Sequence, residues 1–118
     1  MRIFILENHA DTLECFRVYL QSLGHEVFSA TTLNEALEKL PKTKCDVLFS
    51  DIGLPDGTGW DLVAELKDSI PKYAVAMSGF GMVEDRAKSL ATGFRHHLLK
   101  PVSPETVEKL LCEAEAEL

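Results

Sequence analysis

The chain alternates between short apolar runs and stretches with helical hydrophobic spacing, and this alternation limits its fold more than any other feature. The short runs are residues 3–6, 27–30, 47–50, 73–77 and 94–99. The first, third and fourth are almost continuously apolar, which is typical of strands buried on both faces of a parallel sheet. We therefore predict five parallel strands, each followed by a helix.

The stretches after the runs carry apolar residues three or four positions apart, as expected for amphipathic helices. The five apolar stripes are Leu13, Phe16, Leu20 and Leu23; Leu33, Ala36, Leu37 and Leu40; Leu62, Leu66 and Ile70; Val83, Ala87, Leu90 and Ala91; Val107, Leu110, Leu111 and Ala114. Gly24, Pro41, Pro71 and Gly93 mark helix ends. Four other apolar residues are expected in or near the core: Met77, Phe80, Met82 and Phe94.

This pattern predicts an α/β fold, a (βα)5 doubly wound, five-stranded parallel sheet with helices on both faces. Sheets of this flavodoxin-like type commonly have the strand order 2-1-3-4-5. The length of 118 residues is that of one domain, so residues 1–118 are expected to form a single unit.

Charge and cysteine content narrow the functional classes. The chain has 12 Lys and Arg against 19 Asp and Glu, a net charge of −7, so direct nucleic-acid binding is not expected. The longest apolar run, residues 73–77, is far shorter than the roughly 20 residues that cross a bilayer. Cys15, Cys45 and Cys112 match no zinc or disulfide pattern. We expect a cytoplasmic protein with reduced thiols and no direct membrane contact.

Reactive side chains follow four of the five predicted strands. Glu7 and Asn8 follow the first strand, Asp51 the third, Ser78 the fourth and Lys100 the fifth. Strands 1, 3, 4 and 5 are neighbours in the predicted order, and ligands bind outside the carboxyl ends of such strands where the order reverses. We therefore expect these five side chains to meet in one crevice.

The chemistry of these residues is that of phosphoryl transfer. A carboxylate such as Asp51 can attack phosphorus and carry an aspartyl-phosphate. The reaction needs mainly positioning and charge neutralisation, which the Lys100 ammonium and the Ser78 hydroxyl would supply. Glu7, Asn8 and Asp51 offer the hard oxygen ligands that Mg²⁺ prefers.

Four segments make the chain resemble a known family over its whole length. They are residues 2–9 (RIFILENH), 46–59 (DVLFSDIGLPDGTG), 76–79 (AMSG) and 97–102 (HLLKPV). Together they resemble the receiver (response regulatory) domain of bacterial two-component signalling, the CheY-like module. Residues 93–102 look most like receivers fused to, or working beside, hybrid histidine kinases.

The resemblance implies a role for each matching residue. Asp51 matches the phosphoacceptor, which takes a phosphoryl group from a histidine kinase or a histidine phosphotransfer protein. Ser78 and Lys100 match the hydroxyl and lysine of the family site, and the Lys100-Pro101 bond is cis in the family. His97 stands where many receivers have a switch Tyr or Phe, whose ring moves inward together with the Thr or Ser hydroxyl.

The magnesium ligands implied by the resemblance depart from the family pattern. Glu7 and Asn8 stand where receivers usually carry an acidic pair, and Asp51 and the backbone carbonyl of Gly53 complete the set. Because a neutral amide replaces a carboxylate at Asn8, we expect weaker Mg²⁺ binding. His9 is expected to be a solvated residue at a helix start, since Mg²⁺ prefers oxygen.

The leading expectation is a phosphoacceptor receiver of a two-component phosphorelay, which is not an enzyme beyond assisting its own phosphorylation and dephosphorylation. Phosphorylation would change the surface of the fourth helix, fifth strand and fifth helix, which then contacts a downstream protein. The alternative is a degenerate receiver that acts as a phosphorylation-independent interaction module, which the pair Glu7-Asn8 favours.

Two other functions of this fold fit the sequence less well. A phosphatase with an aspartate nucleophile typically needs a second Asp two residues on, where this chain has Gly53. A flavin-binding protein would need a Ser-, Thr- or Gly-rich phosphate loop after the first strand. Here residues 7–11 (ENHAD), which include two carboxylates, would repel a phosphate.

Overall fold

A computed structural model describes residues 1–79 and 83–118, with only the backbone at residue 83. Its main sheet has five parallel strands, β1 (Arg2–Leu6), β2 (Glu26–Ala30), β3 (Val47–Asp51), β6 (Tyr73–Ser78) and β7 (His96–Leu99). They lie in the order β2-β1-β3-β6-β7. This is the predicted order 2-1-3-4-5, because the two intervening strands form a separate hairpin.

Helices cover both faces of the sheet. They are α1 (Ala10–Ser22), α2 (Leu33–Lys39), α3 (Gly59–Leu66), α4 (Val83–Thr92) and α5 (Pro104–Ala116). Apolar residues of α1 and α5 pack on one face, against alternate residues such as Ile5 and Phe49. The α2 and α3 residues pack on the other face, against residues such as Phe4 and Leu48. The fully buried β3 strand therefore has a packed layer on each side, as its continuous apolar run predicted.

A two-stranded antiparallel hairpin, β4 (Gly53–Leu54) and β5 (Gly57–Thr58), follows β3 directly and was not predicted. Asp56 at its turn accepts hydrogen bonds from the backbone N–H groups of Leu33 (2.8 Å) and Asn34 (2.9 Å), at the start of α2. Thr58 then caps α3 in a reciprocal hydrogen-bonded pair with Asp61. The loop after Asp51 is therefore fixed to two helix starts.

Glycine is required where α3 begins, because the helix passes close to the end of β3. A Cβ placed on Gly59 would lie 2.5 Å from the backbone oxygen of Asp51 and 2.9 Å from Oγ of Ser50. Since neither the strand backbone nor a buried hydroxyl can move away easily, any larger residue would displace the end of β3. Gly59 thus helps to define the position of Asp51.

Two helices differ from the prediction. In α3 the helix ends at Leu66, and Lys67–Ser69 forms a 3-10 turn, so Ile70 lies outside the helix rather than at its end. In α4 the predicted apolar stripe does not face the core, since Leu90 is 49 % exposed and Ala87 and Ala91 are exposed.

Some expectations for the α4 region have a different outcome. The buried side chain of α4 is Ser89, a polar residue, among the helix side chains that the structure describes. Phe94 is buried as expected, but it precedes β7 rather than belonging to it. Phe80 and Met82, also expected near the core, lie outside the described residues, as does the side chain of Val83.

Other features agree with the sequence. Cys15 and Cys112 are exposed, Cys45 is half-buried, and all three are free thiols. Burial raises the pKa of Cys45 to about 11. Within residues 1–79 and 83–118, no helix has the length and apolar character needed to cross a membrane.

Candidate functional site

Three charged side chains meet at the carboxyl edge of the sheet. The ammonium Nζ of Lys100 lies 2.6 Å from Oδ1 of Asp51 and 2.5 Å from Oε1 of Glu7. Glu7 follows β1, Asp51 ends β3 and Lys100 follows β7. Because parallel strands end at one edge, residues separated by as many as 93 positions in the chain become neighbours. Three of the five side chains that the sequence placed in one crevice are therefore in contact here.

Backbone hydrogen bonds hold these residues in place. The N–H of Glu7 donates to the carbonyl of Ala30 at 3.1 Å, and that of Lys100 donates to the carbonyl of Ser78 at 2.8 Å. Both extend the ladders of the sheet by one residue beyond the strand ends. The positions of Glu7 and Lys100 are therefore set by the sheet rather than by a mobile loop.

The two carboxylates are buried. Glu7 is 0 % exposed and Asp51 is 3 % exposed. Oδ2 of Asp51 accepts a long hydrogen bond of 3.3 Å from the backbone N–H of Asn8, and its Oδ1 has the Lys100 ammonium as its partner. Oε2 of Glu7 accepts from the backbone N–H of His9 at 3.1 Å. A buried carboxylate pair thus shares one lysine.

The shared lysine and the burial set the ionisation of the site. Burial raises the pKa of Asp51 to about 6, and the neighbouring Glu7 adds to the rise while Lys100 opposes it. Burial acts in the same sense on Glu7, but its interactions with Asp51, with Lys100 and with the backbone N–H of His9 lower its pKa overall. Burial disfavours the Lys100 cation, yet its bonds to Asp51 and Glu7 raise its pKa. The lysine stays charged and both carboxylates compete for it.

Oxygen donors suited to a hard cation lie beside the pair. Asp51 Oδ2 is only weakly engaged, and the amide of Asn8 is exposed at the same edge, as is Gly53 two residues after Asp51. Both oxygens of Glu7 are engaged, one by Lys100 and the other by His9. Outside residues 80–82, no group of three or more His, Cys, Asp or Glu side chains could hold a metal. The donors fit Mg²⁺ in chemical type but provide few negative charges.

Ser78 lies at the expected edge. It is the last residue of β6, half-buried, and β6 is the strand beside β3, with Met77 paired to Asp51. Gly79 follows it and is exposed. Ser78 therefore ends its strand one residue beyond the level of Asp51 on the neighbouring strand.

The residue predicted as the switch, His97, is buried and not solvent-facing. It is 9 % exposed, and its Nδ1 lies 2.7 Å from Oγ of Ser89. Burial lowers its pKa. His96 lies on the opposite face, with Nε2 at 3.3 Å from Oε2 of Glu113, so the two histidines share no site, as expected from strand alternation.

Helix α1 begins at the site, and His9 is its N-cap residue. Its ring is 73 % exposed, and Nδ1 lies 3.5 Å from Oε2 of Glu7. This agrees with the expected solvated position. Lys100-Pro101 is a cis peptide bond, as the resemblance implied.

Sequence reasoning missed the partners of His97. Nε1 of Trp60 in α3 donates to Oγ of Ser89 in α4 at 2.9 Å, and that Oγ lies 2.7 Å from Nδ1 of His97. The one signal in the sequence was a serine on the face of α4 opposite its apolar stripe. The sequence alone does not show that this face is buried.

Comparisons with known proteins agree with this geometry. The family model of the response regulator receiver domain matches residues 3–111. A receiver domain protein (CheY-like) from Methanospirillum hungatei is 29 % identical with a TM-score of 0.87, over 99 % of this chain and 98 % of that one. A two-component response regulator from Clostridium difficile has a TM-score of 0.93 at 23 % identity, over 98 % and 96 % of the two chains, a likeness of fold.

Similar sequences include longer regulators. The response regulator protein PilR of Pseudomonas aeruginosa is 29 % identical over 96 % of this chain, which spans 26 % of PilR. An uncharacterized 14.6 kDa protein in the sodA1 3′ region of Leptolyngbya boryana is 30 % identical over 94 % of this chain and 87 % of its own length. With the matched residues covering most of the chain and the strand order of the fold, the chain belongs to the response regulator receiver domain family.

Proposed function

We propose that this receiver domain, formed by residues 1–118, accepts a phosphoryl group on Asp51 from a phosphohistidine of a histidine kinase or phosphotransfer protein. The observation that carries the proposal is the buried contact of Lys100 with Asp51 at 2.6 Å, at the carboxyl edge of the sheet. A fixed cation beside a carboxylate is what an aspartate nucleophile needs, because the phosphoryl group brings further negative charge to the same place.

The transfer is a single displacement at phosphorus. A carboxylate oxygen of Asp51 forms the new O–P bond, and the P–N bond to the donor imidazole breaks, with its electron pair returning to the ring nitrogen. The protonated donor ring leaves as neutral imidazole. Lys100 would neutralise one phosphoryl oxygen, and Ser78, at the end of β6, would donate a hydrogen bond to another.

Mg²⁺ would be held by Asp51, Asn8 and the carbonyl of Gly53. Glu7 would add negative charge to the site. The ion supplies neutralisation of the phosphoryl oxygens when it is bound. Because Glu7 is engaged by Lys100 and His9, the direct anionic ligand is Asp51. We therefore expect Mg²⁺ binding weaker than in a site with two free carboxylates.

The output is a contact with a downstream protein in the cytoplasm, without direct binding to nucleic acid or membrane. Its surface is formed by α4, β7 and α5, where Leu90 and Leu99 are exposed apolar residues. The domain is a signalling module and not an enzyme that turns over an external substrate. Residues 93–102 support a partner of the hybrid histidine kinase type.

One observation favours the second candidate, a degenerate receiver that binds a partner without phosphorylation. Lys100 is already engaged by Glu7 as well as by Asp51, and Asn8 offers a neutral amide where a carboxylate would add a charge to the proposed metal site. In that case the Glu7–Lys100–Asp51 contact would serve as a permanent structural link.

Treatment with acetyl phosphate and Mg²⁺, followed by intact-mass spectrometry, separates the two candidates. We expect one added phosphoryl group on the wild-type chain and none on Asp51→Asn, with Asp46→Asn, a carboxylate outside the site, labelled as wild type. Equal labelling of wild type and Asp51→Asn would refute the assignment. If neither is labelled and beryllofluoride causes no amide shift change, the degenerate function holds.

A further inference from the structure

A chain of hydrogen bonds joins α3, α4 and β7 beneath the sheet surface. Nε1 of Trp60 in α3 donates to Oγ of Ser89 in α4 at 2.9 Å. Oγ of Ser89 lies 2.7 Å from Nδ1 of His97 in β7. Ser89 is 0 % exposed, and its hydroxyl is the middle member of the chain. Three elements that are separate in sequence therefore meet at one buried serine.

The chemistry of the three groups fixes the direction of the chain. The indole N–H of Trp60 can only donate, so the oxygen of Ser89 is an acceptor in that bond. Its one hydroxyl hydrogen then goes to Nδ1 of His97, since the hydrogen bonds of the described residues give it no other acceptor. His97 is accordingly neutral, with its proton on Nε2.

The hydrogen-bonded chain is a polar contact of α4 with its neighbours. Leu90, Ala87 and Ala91 are exposed, and Ser89 is the buried side chain of the helix in the part that the structure describes. Lys88 covers the Trp60 ring from outside, with Nζ 4.2 Å from the ring centre. The buried contact of α4 with α3 and β7 thus includes a polar group, the Ser89 hydroxyl.

The other ring nitrogen of His97, Nε2, lacks a hydrogen-bond partner among the described residues when the ring is buried. A buried donor without a partner lowers stability, because it has lost the hydrogen bonds that it made to water in the unfolded chain. The bond from Ser89 to Nδ1 offsets that cost, so the inward orientation of His97 depends on Ser89.

We propose that Ser89 is a positioning residue that holds His97 in its buried orientation and seats α4 against α3 through Trp60. Without the Ser89 hydroxyl, neither ring nitrogen of His97 has a partner among the described residues, and the Trp60 indole loses its acceptor in α4. No phosphoryl group is needed for these contacts, so their test is separate from that of Asp51.

The test is nitrogen NMR of the unphosphorylated protein, together with hydrogen exchange. In the wild-type chain we expect an unprotonated Nδ1 and a protonated Nε2 on His97, and slow exchange of the Trp60 indole proton. In Ser89→Ala we expect mixed tautomers of His97, and exchange of the indole proton and of the α4 amides faster by about tenfold. Ser89→Thr restores the hydroxyl and should restore both signals.

Two further variants keep the test decisive. Lys88→Met removes the ammonium over the Trp60 ring but leaves the Trp60–Ser89–His97 hydrogen bonds intact. His97 should therefore keep its tautomer. Trp60→Phe removes the first donor but leaves the Ser89 hydroxyl on Nδ1, so His97 should again keep its tautomer while the α4 amides exchange faster.

Three outcomes would overturn the proposal. A protonated Nδ1 on His97 of the wild-type protein would contradict the assigned direction of the hydrogen bonds. Unchanged His97 and indole signals in Ser89→Ala would contradict the role of Ser89. If Ser89→Ala does not fold, unchanged exchange of the α4 amides in Trp60→Phe would show that the chain does not seat the helix.

Discussion

Lys100 contacts Glu7 as closely as it contacts Asp51, with Nζ at 2.5 Å from Oε1 of Glu7 and 2.6 Å from Oδ1 of Asp51. The lysine is therefore a counter-ion shared by both carboxylates and not a partner of Asp51 alone. Glu7 is fully buried, so water could not easily take the place of Lys100 as its partner if the lysine turned towards a phosphoryl group. Glu7, the first acidic residue after β1, therefore holds Lys100 through a buried ion pair.

Removing the shared cation should be costly. In Lys100→Ala two buried carboxylates face each other without a counter-ion, so we expect the free energy of unfolding at pH 7 to fall by about 2–4 kcal/mol. Urea denaturation measures this. Lys109→Ala, which removes an exposed lysine of α5, should change stability by less than about 0.5 kcal/mol. Equal effects of the two substitutions would mean that the buried contact contributes nothing specific.

A carboxylate in place of Asn8, at the proposed Mg²⁺ site, should strengthen cation binding. In Asn8→Asp we expect Mg²⁺ affinity to rise by about tenfold, because a charged ligand replaces a neutral amide at an exposed position beside Asp51. Calorimetric titration is the suitable measurement. Asn34→Asp adds the same charge at an exposed position of α2, away from the site, and should leave the affinity unchanged. An affinity that does not rise in Asn8→Asp would argue that Asn8 is not a ligand.

The carboxyl edge of the sheet could be predicted because strand order alone decides which residues meet there. Glu7, Asp51 and Lys100 each follow an apolar run, and the run is visible in the sequence even when its exact end is not. The engagement of Glu7 by Lys100 could not be predicted in the same way. Whether a long carboxylate turns to solvent or to a lysine depends on side-chain torsions that the pattern does not contain.

Helix α4 is where the hydrophobic pattern failed. Periodicity predicted that Leu90 and its neighbours face the core, whereas the helix turns this stripe outward and buries Ser89. Periodicity reports which residues share a face but not what that face contacts. An apolar stripe that serves a partner protein is identical, in the sequence, to one that serves the core. The β4–β5 hairpin was missed because each strand has only two residues.

The close approach of α3 to β3 predicts a stability effect at Gly59. In Gly59→Ala the new Cβ would meet the backbone oxygen of Asp51 at 2.5 Å, so the end of β3 must shift. We expect a loss of about 1–3 kcal/mol in the free energy of unfolding and slower labelling of Asp51 by acetyl phosphate. Gly53→Ala is the control for stability, since a Cβ there has nothing within 4 Å. Similar losses of stability in both variants would point to backbone conformation rather than crowding.

The burial of His97 predicts how stability depends on pH. Burial lowers the pKa of its imidazole in the folded chain; nearby Asp85 opposes the shift and Arg86 adds to it. Between about pH 6.5, the ordinary histidine value, and the lower pKa of the folded chain, the unfolded chain binds more protons than the folded one. The contribution of His97 to stability is therefore complete above about pH 6.5 and is lost as the pH falls through the lower pKa of the folded chain.

Urea denaturation at pH 8 and pH 5.5 measures this dependence. His97→Gln, which keeps hydrogen-bonding capacity without a titratable ring, should lose less stability between the two pH values than wild type. His9→Gln removes an exposed histidine and should follow the wild-type profile. If His97→Gln loses as much stability as wild type over this interval, another group is responsible for the pH dependence and His97 is not buried in its neutral form.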